Sequence, residues 1–302
     1  MAGVLEILGL EKRFGDTWAL RGLSFEVREG EVFGFVGSNG AGKTTTMRIA
    51  MGVLAPDRGE VRWAGAPLGF AARQRFGYMP EERGLYPTMR LGEQLQYLAR
   101  LHGQRQQDAR RRAALWLERL GLGARAGDEV QVLSHGNQQR AQLAAALVFS
   151  PAALILDEPF AGLDPVAVDV MSGVLREQAQ QGVPVLFSSH QLELVERLCD
   201  RVGIIRGGQM VAVGTVAELA KDGGERLWVD VGSDESAWAF GIPGVSVLRQ
   251  EGTRTLLALD GGSDDQAVLR AAIRQGPVRE FRRDVPPLGE LFRNAVSEEV
   301  AR

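Results

Sequence analysis

The stretch GSNGAGKTT, residues Gly37–Thr45, decides the fold. It fits the pattern G-x-x-x-x-G-K-[ST] of a P-loop. It also has the context that the pattern requires, since a strand-like run (Glu31–Val36) precedes it and a helix-compatible run (Thr44–Met51) follows. Its glycines let successive backbone N–H groups point at one anion, and the helix N-terminus adds a partial positive charge. The sequence therefore predicts a phosphate-binding loop.

Two side chains of this loop carry specific chemistry. Lys43 would supply a full charge to the β- and γ-phosphates of a nucleotide, and Thr44 would supply a hydroxyl to Mg²⁺. Lys43 is one of three lysines in a chain otherwise rich in arginine, and the two residue types are not interchangeable at such a point. The predicted phosphate-binding residues are Gly37, Ser38, Asn39, Gly40, Ala41, Gly42, Lys43, Thr44 and Thr45.

A second motif places carboxylates at the end of an apolar strand. The segment ALILDE, residues 153–158, ends in Asp157 and Glu158. Ligands of open α/β sheets bind at the carboxyl ends of the strands, so we expect both side chains to face the phosphate-binding loop. Asp157 would hold Mg²⁺ through water, and Glu158 would orient and polarise the water that attacks the γ-phosphate.

Composition narrows the class of protein. The 302 residues are 45% hydrophobic and 24% charged, enough for one large domain and a small one, and the net charge of −3 argues against a general nucleic-acid binder. The single cysteine, Cys199, excludes a disulfide framework, and the three scattered histidines form no zinc pattern. The sequence shows no pattern of a secretory signal, and its apolar runs are shorter than the ~20 residues that a membrane-spanning helix needs. We therefore expect another subunit to supply any membrane spans.

Strand and helix patterns alternate along most of the chain. Three strands lie within residues 4–36, helical periodicity dominates 91–149, and strands alternate with helices over 153–214. This order predicts a parallel sheet with both faces covered. The polar segment Lys221–Arg226 is the predicted linker between a domain at 1–222 and a small β-rich α+β module at 226–302.

With both motifs present, the chain resembles the nucleotide-binding subunit of ABC (ATP-binding cassette) transporters over about residues 4–222. LSHGNQQR (Leu133–Arg140) resembles the signature LSGGQ, AGLD (Ala161–Asp164) resembles the D-loop, and YMPE (Tyr78–Glu81) occupies the place of the Q-loop. The segments PEERGLYP and DEPFAGLDP, with a PPLGELF-type helix near the C-terminus, are similar to those of prokaryotic sodium- and drug-efflux exporters.

The resemblance implies roles for individual residues. Phe14 would stack on adenine, His190 would donate a hydrogen bond to the γ-phosphate, and Asp164 would couple two nucleotide sites. Ser134 and Gly136 would meet the nucleotide of the opposite subunit, so each site would need two chains. The implied cofactors are ATP and Mg²⁺. The implied catalytic residues are Lys43, Glu158 and His190, and the implied metal contacts are Thr44, Asp157 and Glu81.

The chain departs from the family pattern at three positions. Glu81 stands where most members have Gln, so a side chain that only accepts hydrogen bonds when ionised replaces a neutral amide. His135 replaces the first signature glycine, and Asn137 replaces the glutamine. Because Ser134 and Gly136 are kept and the catalytic set is complete, we expect an active site.

The sequence thus predicts a P-loop α/β core with an antiparallel β subdomain, a helical subdomain near 86–150 and the C-terminal module. The predicted function is ATP hydrolysis that powers export through a separate multi-span permease, whose helices would dock near Tyr78–Leu101. Two cassettes, either two copies or one copy and a related chain, would act together at the cytoplasmic face of the membrane. The isolated chain is expected to be soluble.

Two other functions stay open. One is a soluble ABC-type ATPase that acts on ribosomes, DNA or another complex. Chromosome-type members need a long coiled coil between the P-loop and the signature, and the roughly 90 residues between Lys43 and Ser134 leave no room for it. Members that act as translation factors carry two cassettes in one chain, whereas this chain has one. The other is a nucleotide-sensing regulator whose C-terminal module carries the output. The cargo cannot be deduced, because the missing subunit would choose it.

Overall fold

The computed structural model describes residues 3–82, 84–222, 225–232, 237–260 and 264–297. They belong to two compact units, Met1–Val213 and Gly214–Arg302.

The first unit is built from both strands and helices. Its strands are β1 (Leu5–Phe14), β2 (Thr17–Val27), β3 (Val32–Val36), β4 (Arg58–Trp63), β5 (Ala66–Pro67), β6 (Phe76–Met79), β7 (Ala153–Leu156), β8 (Val185–Ser189), β9 (Arg201–Arg206) and β10 (Gln209–Gly214), the last of which ends one residue beyond the boundary of the unit. The helices of the first unit are α1 (Lys43–Ala50), α2 (Phe70–Arg73), α3 (Leu91–Leu101), α4 (Gln106–Arg119), α5 (His135–Leu147), α6 (Pro165–Gln180) and α7 (Leu192–Leu198).

A six-stranded sheet in the order β10–β9–β3–β8–β7–β6 lies at the centre of the first unit. Strand β3 pairs in parallel with β8 and β9, while β7 pairs in parallel with β8 and β6. Strands β3, β7 and β8 are buried along their whole length, as expected for parallel strands with both faces covered. The segments that follow β3, β6, β7 and β8 therefore start from one edge of the sheet, where ligands of such sheets bind.

A second sheet, in the order β2–β1–β4–β5, is antiparallel and confirms the predicted β subdomain. It shares one apolar core with the central sheet. The ring of Phe25 lies 5.3 Å from that of Phe33 and 5.0 Å from that of Phe35, and Trp63 meets Phe76 edge-on at 4.8 Å. The contacts of Phe25 hold the P-loop strand β3 against the antiparallel sheet, and the contact of Trp63 does the same for β6.

Helices α3, α4 and α5 pack on one another between β6 and β7, which confirms the predicted helical subdomain. The apolar residues of α3 recur every four residues, and Leu91, Leu95 and Ala99 are all fully buried. Helix α4 ends at Arg119, shortly before the segment Gly121–Gly127, which contains three glycines. None of the described helices is both long and apolar enough to cross a bilayer.

The second unit has a core of its own. Its elements are α8 (Val216–Asp222), β11 (Glu225–Asp230), β12 (Val245–Glu251), β13 (Arg254–Leu259), α9 (Asp265–Gln275), β14 (Glu280–Asp284) and α10 (Leu288–Ser297). The strands form an antiparallel sheet in the order β12–β13–β11–β14. Leu227, Val229 and Leu257 pack with Val268 and Ala272 of α9. The predicted α+β character of this module is confirmed.

The predicted linker falls inside this second unit. Helix α8, which the sequence patterns missed, runs through Asp222, and β11 begins at Glu225. Gly223 and Gly224 lie outside the described residues. The polar segment Lys221–Arg226 is therefore largely built into a helix and a strand. The position at which an independent catalytic domain ends stays a prediction.

Candidate nucleotide-binding site

The P-loop lies between β3 and α1, and its lysine is folded back onto it. The Nζ atom of Lys43 donates to the carbonyl oxygens of Gly37 at 2.7 Å and Ser38 at 3.3 Å. Gly42, with φ of +112°, precedes the helix, and a β-carbon there would lie 2.6 Å from the carbonyl oxygen of Ala19. Glycine is thus required at this position both by the backbone conformation and by the available space.

A cavity of about 380 Å³ opens in front of this loop. It brings together P-loop residues and the carboxylates of Glu81 and Glu158, which the sequence places far from the loop. Some predicted site residues do not line it, namely Phe14, Gly37, Ser38, Ala41, Ser134, Gly136, Asp157, Asp164 and His190. The residues that line it are Asn39, Gly40, Gly42, Lys43, Thr44, Thr45, Glu81 and Glu158.

Glu158 follows β7 and is held at the mouth of the P-loop by three contacts. Its Oε2 lies 2.9 Å from Nδ1 of His190, and its Oε1 lies 3.9 Å from Nζ of Lys43. Its backbone N–H donates to Oγ of Ser188 at 2.8 Å. Glu158 is 8% exposed and has φ of +49°, a left-handed conformation that costs a residue with a β-carbon about 1–2 kcal/mol. Strain of this kind persists where the surroundings over-determine it, often at functional sites.

Asp157 is buried beside Glu158 and keeps one oxygen without a partner. Oδ1 accepts a hydrogen bond from Oγ of Ser188 at 2.6 Å, whereas Oδ2 has no hydrogen-bond partner among the described residues. A buried carboxylate oxygen left unpaired is costly unless a ligand or water satisfies it. The orphaned oxygen therefore fits a hydrated Mg²⁺ ion. Ser188, which contacts both acidic residues, was missed by sequence reasoning; its only signal is its place two residues before His190.

Glu81 lines the cavity, so the residue that replaces the usual glutamine is placed to reach a metal ion or water. Its neighbour Glu82 lies 3.6 Å from Arg48 of α1, which connects this segment to the P-loop helix. Burial, followed by the charge of Asp157, raises the pKa of Tyr78 at the start of the same segment. Among the described residues, no three His, Cys, Asp or Glu side chains form a metal cage.

Phe14 ends β1 and is half exposed, as a ring that stacks on a base must be. The Nζ atom of Lys12 lies 5.7 Å from the centroid of the Phe14 ring. The same atom donates a hydrogen bond to the carboxylate of Asp57, and this bond lowers the pKa of Asp57. The nearby Trp18 lies in β2 beneath the guanidinium of Arg13 and is 39% exposed. The adenine-stacking role of Phe14 stays a prediction.

The signature residues begin helix α5, away from the cavity of their own chain. The hydroxyl of Ser134 caps the helix by accepting from the backbone N–H of Asn137 at 3.4 Å, and the Asn137 side chain accepts from Arg140. Asp164 similarly caps α6 by accepting from the N–H of Ala167 at 2.8 Å. Ser134 and Gly136 thus have a defined place at the start of α5, and neither is among the described residues that line the P-loop cavity.

Comparison with known proteins decides the family. Residues 20–161 match the model of the family described as "ABC transporter". An ABC transporter ATP-binding protein of Bacillus subtilis strain 168, YhaQ, whose activity is uncharacterised, is 36% identical over 289 residues, which are 96% of this chain and 97% of that protein. This chain belongs to the ABC transporter ATP-binding proteins. Members of this family bind ATP, generally hydrolyse it, and dimerise.

The second unit matches a separate family model. Residues 214–296 match the model described as the C-terminal domain of "ATP-binding protein DrrA1-3-like".

Further relatives match a large part of the chain. The Nod factor export ATP-binding protein I of Burkholderia orbicola is 40% identical over 213 residues, which are 70% of each chain. A solved ATP-binding subunit of an ABC transporter superposes with a TM-score of 0.68 at 32% identity and covers 72% of this chain and 92% of its own. The ABC cassette fold is therefore confirmed.

Proposed function

We propose that this chain hydrolyses ATP and thereby powers export through a separate membrane-spanning partner. The observation that carries the proposal is the carboxylate of Glu158, buried at the P-loop cavity between Lys43 and His190. A carboxylate in that place has the acceptor oxygens that orient a water molecule for attack on a γ-phosphate. The similarity to a protein named as a Nod factor export ATP-binding protein supports export as the direction of transport.

The residues around the cavity divide the work of hydrolysis. Lys43 and the P-loop N–H groups would neutralise phosphate charge, and Glu158 would accept hydrogen bonds from the attacking water. His190, with a proton on each ring nitrogen, would donate to the Glu158 carboxylate through Nδ1 and to the γ-phosphate through Nε2. The chemistry that Mg²⁺ would supply here is neutralisation of phosphate oxygens. Residues that fit its shell are Thr44, Asp157 and Glu81.

The site needs a second cassette. Ser134 and Gly136 begin a helix whose N-terminus suits a phosphate, yet neither residue lines the cavity of its own chain. A second copy of this chain, or a related cassette, would bring these groups to the nucleotide from the opposite side. ATP held between the two chains would favour the closed dimer, and hydrolysis would release it.

A second cavity, of about 290 Å³, is the surface that we propose receives the membrane partner. It lies between the end of α1, strand β6 and helices α3 and α5, and its walls include Met51, Leu85, Leu98 and Phe149. Among its described lining residues, Arg73 is the one permanent cation and none is a carboxylate. An amphipathic cytoplasmic helix with an apolar face and one acidic side chain fits this chemistry. Such docking would place the cassette at the cytoplasmic face of the membrane.

Reversal of the charge in this cavity is expected to weaken the complex. The Nε atom of Arg73 donates to the carbonyl oxygen of Ala50 at 3.0 Å, which leaves its two terminal nitrogens for a partner carboxylate. We expect Arg73→Glu to lower co-purification with the membrane-spanning partner by at least about tenfold. Arg73→Lys should retain most of the complex, because it keeps the charge.

The matched control for this measurement is Arg75→Glu, an equal change of charge at an exposed residue outside the cavity. Circular dichroism of each variant checks that the chain still folds. If Arg73→Glu and Arg75→Glu co-purify with equal amounts of the membrane partner, the proposed docking surface is contradicted. If no membrane protein co-purifies with the wild-type chain, the transport function itself is contradicted.

The second unit is not expected to take part in nucleotide binding. Every P-loop residue, Glu158 and His190 precede it, and its apolar core is made of its own residues. We therefore expect a fragment of residues 1–214, which keeps β10, to bind ATP with near-native affinity in isothermal titration. The lifetime of its dimer or its coupling to the membrane partner should change, because small accessory domains often have such roles. A folded fragment that no longer binds ATP would show that the second unit helps to build the site.

A further inference from the structure

Helix α5 contacts the loop that follows Glu158 through His135, the residue that replaces a signature glycine. The Nε2 atom of His135 lies 3.2 Å from the carbonyl oxygen of Ala161. Because a carbonyl oxygen only accepts hydrogen bonds, Nε2 carries the proton of this bond. A glycine at position 135 has no side chain and would leave the two segments without this hydrogen bond.

The next residues of the loop fit closely around the same contact. Gly162 has φ of +69°, and a β-carbon there would lie 2.8 Å from Cδ2 of His135. A β-carbon at Gly136 would in turn lie 3.3 Å from Cδ2 of Leu163. Two successive positions in the first turn of α5 therefore pack against the loop.

Each of the joined segments carries a group of the nucleotide site. The loop begins at Glu158, whose carbonyl accepts from the N–H of Ala161 at 3.2 Å, and it ends at Asp164. Its middle is anchored by Phe160, which is 1% exposed and packs edge-on against Phe187 at 5.5 Å. Helix α5, on the other side of the contact, begins directly after Ser134.

We propose that His135 is a positioning residue that couples the two nucleotide sites of the dimer, an inference that rests on the two-chain site proposed above. In that site, Glu158 acts on the nucleotide of its own chain, while Ser134 contacts the nucleotide of the opposite chain. The hydrogen bond from His135 to Ala161 joins these two groups within one chain. A displacement of Ser134 toward the opposite nucleotide therefore moves the loop of Glu158. Such coupling is measured as cooperativity in ATP.

The test compares His135→Leu with His135→Gln in the full chain, by steady-state ATPase assays over a range of ATP concentrations. Leucine removes the N–H donor, whereas glutamine offers an amide N–H. We expect His135→Leu to lower kcat about three- to tenfold, the effect of one lost neutral hydrogen bond, and to lower the Hill coefficient toward one. His135→Gln should restore most of both values. Binding of a fluorescent ATP analogue to dilute, monomeric chain should not change.

A control and a second variant separate this role from general destabilisation. Gln131 lies four residues before His135, and its side chain donates an exposed hydrogen bond of 2.7 Å to Glu129. Gln131→Leu removes this bond and should leave the rate and the Hill coefficient unchanged. Gly162→Ala places a methyl group against the imidazole. Its loss of rate should be smaller in a His135→Ala background, because the side chain with which it collides is absent there.

The possible results point to different conclusions. Wild-type cooperativity in His135→Leu, or a His135→Gln variant as impaired as His135→Leu, would overturn the role of His135. A wild-type chain that hydrolyses ATP without cooperativity, at a rate per chain independent of chain concentration, would overturn the two-chain site and this inference with it.

Discussion

Replacement of Glu158 by glutamine is expected to lower the steady-state ATPase rate by at least ~10²-fold while ATP binding is retained. The amide has the size of the carboxylate, and the imidazole of His190, 2.9 Å from Oε2, can pair with either an N–H or an oxygen. What is lost is the negative charge that polarises the attacking water. Because ATP then binds but is not consumed, we expect the dimer to persist in the presence of ATP.

The rate is measured by phosphate release, and the dimer by size-exclusion chromatography with and without ATP. Glu82→Gln is the matched control, since Glu82 is exposed and pairs with Arg48 outside the cavity. Normal steady-state hydrolysis by Glu158→Gln would show that Glu158 is not the group that activates water.

Two inactive variants are expected to restore each other when mixed. Lys43→Ala removes the cation of the P-loop and should abolish nucleotide binding at its own site. Ser134→Arg places a bulky side chain at the start of α5 and should disable the site of the opposite chain. Each variant alone should be nearly inactive. A heterodimer has about one intact site, because the Lys43 of one chain meets the Ser134 of the other.

This mixture is assayed at equal total concentration against each variant alone, with the Ser134→Ala variant as a milder substitution. Activity that appears only on mixing is the expected result. Full activity of the Ser134→Arg protein by itself, or a wild-type rate per chain that does not depend on concentration, would refute a site shared between two chains.

The sequence predicted those parts of the site that depend on short-range constraints. The P-loop was recognisable because glycine, lysine and threonine are required at fixed spacing between a strand and a helix. Asp157 and Glu158 were recognisable because a short apolar strand ends in two carboxylates. The central sheet followed from the alternation of strands and helices. The two motifs are set by residues within about one turn or one strand of each other, and the sheet by a pattern that repeats along the chain.

Other features depend on contacts between distant segments, and the sequence did not reveal them. The bridge from Ser188 to both acidic residues, the pairing of Glu158 with His190 and the contact of His135 with Ala161 all depend on strand order and loop conformation. Helix α8 was missed because the glycines after it suggested a linker. The roles of all the predicted site residues, those of Phe14, Asp164 and the signature residues included, remain predictions.

The order of strands in the central sheet has a consequence for synthesis of the chain. Strand β3 is made early, yet both of its neighbours, β8 and β9, lie about 150 residues later in the sequence. At a translation rate of roughly 5–20 residues per second, β3 waits about 10–30 s on the ribosome before either edge can be paired. During that interval an apolar strand with two open edges is a template for aggregation. Chaperone dependence of the nascent chain should therefore end only when β9 has emerged from the ribosome.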